Sequence, residues 1–165
     1  KWNPAVKKVS DREALWKALN EDRIDVLATD HAPHLLKEKQ NLYTKAPSGG
    51  PMVQHAYPAL LTAVQQGKTS LEKLVEKACH NPAILFKIQN RGFLREGYFA
   101  DLVLVNMNQK FTVVKDDLLY QCGWSPFEGT TFGARICKTF VNGNLVYDKG
   151  KIIESALGKR LTFER

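Results

Sequence analysis

The chain has 165 residues, of which 44% are hydrophobic and 25% are charged, a composition typical of globular proteins. Its formal net charge is +7, but basic and acidic residues are interleaved, and no basic stripe with stacking aromatic residues indicates nucleic-acid binding. No apolar stretch approaches the roughly 20 residues that span a bilayer. The three scattered cysteines disfavour a disulfide framework or a zinc knuckle and favour a reducing cytoplasm.

The N-terminal segment predicts one helix and then one strand. Ser10 and Glu13 have the spacing of a capping box, and the apolar stripe after them predicts a helix that ends near Asn20. Residues 24–29 are a short apolar run, typical of a buried parallel strand. A helix followed by a strand that ends in an acidic residue, Asp30, is one step of a βα-barrel.

Two further helices are predicted after a long polar loop. The loop runs from Leu35 to Pro51, and loops of this length are often functional. Apolar residues recur at helical spacing from Val53 to Gly67, where Pro58 predicts a kink or a late start. Another helix opens at Thr69 and is closed by Asn81–Pro82.

From Arg91 onwards the sequence is β-rich, so we expect an α/β part in residues 1–90 and a β-rich module in residues 91–165. Asn142–Gly143 lies between two apolar runs and predicts a tight hairpin turn. The predicted strands are Gly92–Leu94, Asp101–Val105, Phe111–Val114, Ile136–Val141 and Leu145–Tyr147. A complete (β/α)₈ barrel takes roughly 250 residues. We therefore expect the chain, which starts at Lys1 as a cut end, to be the C-terminal portion of a larger protein.

Asp30, His31 and His34 directly follow the predicted strand. In barrels of alternating strands and helices, catalytic groups lie where the strands end. A carboxylate there can simply cap a turn, or it can ligate a divalent ion and shuttle a proton. The two histidines are three residues apart around Pro33, which is not the HxH or HExxH spacing that chelates one zinc ion. From the residues alone, both interpretations of Asp30 stay open.

The segment Thr29-Asp30-His31-Ala32-Pro33-His34 resembles the signature of the dihydroorotases, in the amidohydrolase superfamily. Asn3–Pro4 resembles that family's substrate-contacting Asn-Pro element, although Lys7 stands where an arginine is common. The loop at Ser48–Gly49 resembles the glycine-containing loop whose backbone contacts the pyrimidine ring, with a departure in the residues that follow.

The resemblance extends over essentially the whole chain, in the order that the family shows. The other matching segments are Asn81–Ala83, Gly92–Gly97, Ala100–Val103, Ser125–Gly129 and Thr139–Gly143. It implies an α/β fold: a C-terminal fragment of a (β/α)₈ TIM-type barrel (the last strand and its flanking helices) in residues 1–90, followed by a small β-sandwich module in residues 91–165. The module would flank the barrel without a chemical role.

Dihydroorotases interconvert dihydroorotate and N-carbamoyl-L-aspartate at a one- or two-zinc centre, in de novo pyrimidine synthesis. The resemblance implies that Asp30 is the metal-ligating general acid/base, which takes a proton from the hydroxide and delivers it to the leaving ring nitrogen. It places the substrate contacts at four residues: Asn3, His34, Ser48 and Gly49. His31 would belong to the structure of the loop or to the surroundings of the site.

Of the metal ligands that the resemblance implies, only Asp30 is in this chain. An HxH pair, a bridging lysine and two further histidines are expected upstream of Lys1. Because one carboxylate cannot hold zinc in a hydrolytic site, we expect a zinc-dependent, cytoplasmic parent enzyme and an inactive isolated fragment. The expected partner is the small-molecule substrate, with no nucleic acid and no membrane, and a homo-oligomer is left open.

Two other functions stay open. The first is another cyclic amidohydrolase, such as a dihydropyrimidinase, hydantoinase or allantoinase; His34 and the Ser125–Gly129 segment disfavour it. The second is a non-catalytic dihydroorotase-like subunit that scaffolds a partner such as aspartate carbamoyltransferase. The presence of Asp30, His34 and Asn3 disfavours that role.

Several other polar residues are interpreted as structural. His55 and His80 lie on predicted helices, where a core or surface histidine is commoner than a metal ligand. The run Lys37–Lys39 is interpreted as a solvated charge pattern of the loop, and Trp124 is expected to pack under a loop.

Overall fold

The computed structural model describes residues 1–154 and 158–164, and it has a mixed α/β fold. The helices are α1 Val9–Asn20, α2 Leu36–Lys39, α3 Ala56–Gln65, α4 Leu71–Val75, a π-helix at Glu76–His80 and α5 Asn81–Leu85. The strands are β1 Leu102–Asn106, β2 Phe111–Thr112, β3 Thr131–Phe132, β4 Arg135–Val141, β5 Asn144–Asp148 and β6 Lys151–Ile152, with a 3₁₀ turn at Lys115–Asp117. In the described ranges, no helix is both long and apolar enough to cross a membrane.

The strands form two antiparallel sheets. One has four strands in the order β1-β4-β5-β6, and the other pairs β2 with β3. The hairpin between β4 and β5 turns at Asn142 and Gly143, whose φ angles are 53° and 83°. Two consecutive positive φ values are those of a type I′ turn, which is what the Asn-Gly pair predicts.

Helix α1 ends where the sequence predicts, but its N-terminus is capped by a different residue. The Lys8 N–H donates to the Asp11 carboxylate (2.9 Å), and the Asp11 N–H donates to the Lys8 carbonyl (3.1 Å). The capping box predicted at Ser10 and Glu13 is therefore wrong. Glu13 instead pairs with Lys68 across the surface (3.1 Å), which takes its carboxylate away from the helix start.

Residues 24–29, predicted as a strand, belong to no β-ladder in the described chain, so this prediction is wrong. One backbone bond of the segment goes to the π-helix instead: the Leu27 N–H donates to the Lys77 carbonyl (2.9 Å). That carbonyl needs an outside donor because the Asn81 N–H bonds Glu76 and the next residue, Pro82, has no N–H. An apolar segment pairs its backbone with whatever lies beside it, and here that is a helix.

The core lies between the helices and the four-stranded sheet. Leu61, Leu74 and Ala134 are buried there, and Leu27 packs against them. Helix α3 supplies Leu61 and starts at Ala56, so the proline at position 58 falls in its first turn, where no helical N–H is lost. This confirms the late start that the proline predicts.

The strand predicted at Gly92–Leu94 is not formed. Gly92 has φ 82°, and a Cβ at this position would lie 2.5 Å from the Ala83 Cβ and 2.8 Å from the Cys79 carbonyl oxygen. The chain passes close to the π-helix and α5 here, and this close approach with a positive φ is incompatible with a strand.

Candidate active site

Three chain segments meet at the candidate site, joined by backbone hydrogen bonds. His31 and Gly50 form a parallel bridge, and the Ala32 N–H donates to the Gly50 carbonyl (3.0 Å). The Gly49 N–H donates to the Lys1 carbonyl (3.1 Å). These bonds bring together the segments that contain all five predicted site residues: 1–3, 30–34 and 48–50.

Asp30 is solvent-exposed and has φ 44°, in the left-handed region. Aspartate is one of the few residues besides glycine that adopts this conformation readily. In residues 1–154 and 158–164, no side chain or backbone group bonds to the Asp30 carboxylate. The carboxylate is therefore available to a ligand or to a proton-transfer partner.

The glycine loop lies directly against the Asp30–His34 segment. Gly49 is buried with φ 89°, and a Cβ there would lie 2.8 Å from the Ala32 Cβ. At Gly50, a Cβ would meet the rings of Trp2 and Trp124 at 3.1 Å. Gly49 therefore needs a residue that has no side chain and that tolerates a positive φ, whereas a Cβ at Gly50 would require the two tryptophan rings to shift slightly.

The two histidines of the motif have different environments. The His31 Nδ1 atom accepts hydrogen bonds from the Met52 N–H (3.0 Å) and the Val53 N–H (3.3 Å), which ties the motif to the turn before α3. His34 is half-buried and is held through its backbone, because the Trp124 Nε1–H donates to its carbonyl (2.8 Å). Its imidazole bonds to no group in the described part of the chain.

The two remaining predicted contacts, Asn3 and Ser48, also present unoccupied polar groups. Asn3 is exposed and Ser48 is half-buried. Neither side chain has a hydrogen-bond partner among the residues that the structure describes. The structure thus brings the five predicted residues onto adjoining segments and leaves four of their side chains available, namely those of Asp30, His34, Asn3 and Ser48.

His55 lies outside this group, in a buried cluster. It is 3% exposed, and its Nδ1 atom is 3.3 Å from the Ser125 hydroxyl and 3.5 Å from the Tyr120 hydroxyl. The rings of Tyr120, Phe127 and Phe132 surround it at centroid distances of 5.8, 6.0 and 6.2 Å. Burial lowers the pKa of His55 below its usual value. His55 is a core histidine, in agreement with its sequence interpretation.

The buried His55 predicts an acid-sensitive fold. Because its pKa is lowered in the folded state, the unfolded chain binds more protons below the ordinary pKa of about 6.5, and stability falls as the pH falls. We expect the free energy of unfolding in urea to fall by up to about 1.4 kcal/mol per pH unit between about pH 6.5 and 5.5. The His55→Asn variant should lack this loss, and an identical pH dependence in both proteins would contradict the assignment.

The sequence does not reveal that Lys39 bonds the loop beside the candidate site. The charged run Lys37–Lys39 predicts solvated side chains, but Lys39 is half-buried and its ammonium donates to loop carbonyls. The prediction is therefore wrong for Lys39. No pattern in the sequence identifies it, because its acceptors are backbone atoms, which every residue carries.

Two cavities in the described part of the chain lie beside the candidate site or away from it. The larger one, about 930 Å³, lies between the turn before α3 and the four-stranded sheet and is lined by residues such as His55, Val103 and Ile136. A smaller groove of about 530 Å³ is lined by His31, Pro33 and Tyr120 among others. None of the five predicted site residues lines either cavity.

The described residues fit one ligand position of a metal ion and no more. The exposed, unpaired carboxylate of Asp30 has the oxygen donors that a divalent cation accepts. Across residues 1–154 and 158–164, however, no group of three or more His, Cys, Asp or Glu side chains could hold a metal ion. The described residues therefore do not form a complete metal site by themselves.

Comparison with known proteins identifies relatives of this chain. The chain is 36% identical over 158 residues to a dihydroorotase from Pyrococcus furiosus, and the match covers 96% of this chain and 36% of that protein. It is 42% identical over 146 residues to a dihydroorotase from Halobacterium salinarum, covering 88% of this chain and 34% of that protein. The chain thus spans about a third of the length of these relatives.

A solved structure and a family profile agree with these relatives. The L-hydantoinase (dihydropyrimidinase) from Arthrobacter aurescens matches with a TM-score of 0.83 and 29% identity, over 93% of this chain and 35% of that one. The sequence profile of the amidohydrolase family matches residues 4–146. The chain therefore belongs to the amidohydrolase family and resembles its dihydroorotases.

Proposed function

We propose that the full-length protein containing this chain is a dihydroorotase, which interconverts dihydroorotate and N-carbamoyl-L-aspartate in de novo pyrimidine synthesis. The observation that carries the proposal is the exposed, unpaired Asp30 within the segment Thr29–His34, at the junction of three segments that contain the predicted substrate contacts. The relatives named dihydroorotase support the choice of substrate.

The architecture that we propose divides the chain near residue 90. Residues 1–90 would be the C-terminal part of the amidohydrolase barrel, and residues 91–165 a β-sandwich module beside it. The concentration of helices before residue 90 and of strands after residue 101 supports this division.

In the proposed reaction Asp30 moves the proton. Its carboxylate accepts a proton from the water that attacks the ring carbonyl, and it then donates that proton to the ring nitrogen as the C–N bond breaks. Amidohydrolases are generally metal-dependent; a zinc ion, or a pair of them, would polarise the carbonyl and acidify the water. Asp30 would be one of its ligands, with the others supplied by chain outside residues 1–165.

Substrate binding is assigned to the four remaining residues. Asn3 and His34 would hold the carboxylate and ring of dihydroorotate with their unoccupied polar groups. Both backbone groups of Gly49 already have a partner: its N–H donates to the Lys1 carbonyl, and its carbonyl accepts from the Lys39 ammonium. We therefore assign the polar contact of the loop to Ser48 and assign to Gly49 a steric role, in which its missing side chain lets the loop pack against Ala32 of the motif.

A second candidate is another cyclic amidohydrolase, favoured by the structural similarity to the hydantoinase from Arthrobacter aurescens. The two are separated by assaying the zinc-loaded full-length protein with dihydroorotate, dihydrouracil, hydantoin and allantoin. We expect the value of kcat/KM to be highest for dihydroorotate. Preference for an uncharged ring would favour the second candidate, and no turnover of any of the four would favour a non-catalytic subunit.

The proposal of a dihydroorotase also includes a cytoplasmic location and assembly into a homo-oligomer.

A further inference from the structure

The ammonium group of Lys39 is surrounded by carbonyl oxygens. Its Nζ atom donates to the carbonyls of Lys1 (3.0 Å), Pro47 (2.8 Å) and Gly49 (2.6 Å). A lysine ammonium has three N–H donors, so this arrangement uses its full capacity. We call Lys39 with these three carbonyls the Lys39 clamp.

The clamp joins two segments that are distant in sequence and that carry predicted substrate contacts. The Lys1 carbonyl lies two residues before Asn3, and the other two carbonyls flank Ser48 on both sides. Lys39 itself ends α2, which begins two residues after His34. Lys39 thus bonds Gly49 directly and bonds residues close in sequence to Ser48 and Asn3. His34 is connected to it by the single turn of α2.

The chemistry of the clamp is specific to lysine. In the described ranges no carboxylate pairs with Lys39, so its charge is balanced by carbonyl dipoles, and hydrogen bonds from a charged donor are stronger than neutral ones. An ammonium is compact and directs its three N–H groups around one point, whereas the planar fork of an arginine spreads its donors in one plane. Lys37, on the same short helix, is exposed, and its ammonium bonds to no carbonyl of the residues that the structure describes.

We propose that Lys39 is a positioning residue: it fixes the loop 47–49 against residues 1–3 and thereby sets the affinity for the substrate. The assignment to substrate rests on the dihydroorotase function proposed above. Because the groups it positions bind the substrate and do not take part in bond breaking, its loss should raise KM much more than it lowers kcat.

The test compares the Lys39→Met variant with Lys37→Met in the full-length protein. Methionine keeps an unbranched side chain, one atom shorter than that of lysine, and removes the donors. We expect faster hydrogen exchange at the Gly49 amide in the Lys39 variant, a KM for dihydroorotate raised about tenfold or more, and a kcat within about threefold of the wild type. The Lys37 variant should match the wild type in all three quantities.

Hydrogen exchange, KM and turnover distinguish a failure of the clamp from a failure of its role in affinity and from a failure of the proposed function. Exchange at Gly49 that is equal in both variants would overturn the clamp, and faster exchange with an unchanged KM would overturn its role in substrate affinity. A wild-type protein that does not turn over dihydroorotate would overturn the proposed function, while the exchange data would still decide the clamp. If Lys39→Met does not fold, Lys39→Arg keeps the charge without the three-way geometry, and a wild-type KM in that variant would overturn the proposal.

Discussion

Replacing Asp30 by asparagine is expected to lower kcat for dihydroorotate by about 10²–10⁴-fold, the range that one general acid/base contributes. Asparagine has the same shape and can still accept a hydrogen bond, but it cannot take up a proton at neutral pH. It also tolerates the φ of 44° at this position, so the fold should be unaffected. The measurement is steady-state hydrolysis by the zinc-loaded full-length protein.

The matched control is Asp25→Asn, which removes an exposed carboxylate from the same segment without touching the candidate site. We expect this control to retain the wild-type kcat, and circular dichroism should show the same helix content in both variants. Wild-type turnover in Asp30→Asn would refute the assignment of the proton-transfer step.

Replacing Gly49 by alanine is expected to damage both the fold and substrate binding. The left-handed region costs an L-residue about 1–2 kcal/mol, and the added methyl group would lie 2.8 Å from the Ala32 Cβ. Because Ala32 lies between Asp30 and His34, relief of this clash would move the motif itself. We therefore expect a loss of more than about 2 kcal/mol in the free energy of unfolding and a raised KM for dihydroorotate.

Gly67→Ala is the control for backbone strain alone. Gly67 has φ 71°, and apart from its own chain neighbours no atom of the described residues lies within 4 Å of the position that its Cβ would occupy. Urea unfolding of the two variants should therefore show the smaller loss at Gly67. Equal losses in the free energy of unfolding would mean that the contact between the new methyl group and Ala32 relaxes without cost. This result would contradict the claim that position 49 must lack a side chain.

Local features of the fold were predictable where the residues themselves determine the conformation. Asn142–Gly143 predicts its turn because these residues adopt positive φ with little strain, and the proline at position 58 predicts where α3 starts because it lacks an N–H. The segment 24–29 was mispredicted for the opposite reason. An apolar run indicates burial, but whether it forms a ladder depends on the neighbour, and here the neighbour is a π-helix.

The candidate site also contains residues that the sequence identifies and one that it does not. A motif that spans consecutive residues, such as the one around Asp30, can be identified from sequence, and the separate segments at Asn3 and Ser48 follow from the same resemblance. Lys39 could not be found in this manner. Its three acceptors are backbone carbonyls on two segments that meet only in the folded chain, and a lysine in a charged run has the same pattern whether it is solvated or enclosed.

The most direct test of the account is a crystal structure of the full-length protein with zinc and dihydroorotate bound. It should show an Asp30 oxygen both on the metal and within hydrogen-bond distance of the ring nitrogen, with Asn3, His34 and Ser48 in contact with the substrate. A substrate bound away from the junction of residues 1–3, 30–34 and 48–50, or an Asp30 carboxylate that faces neither the metal nor the ring, would contradict it.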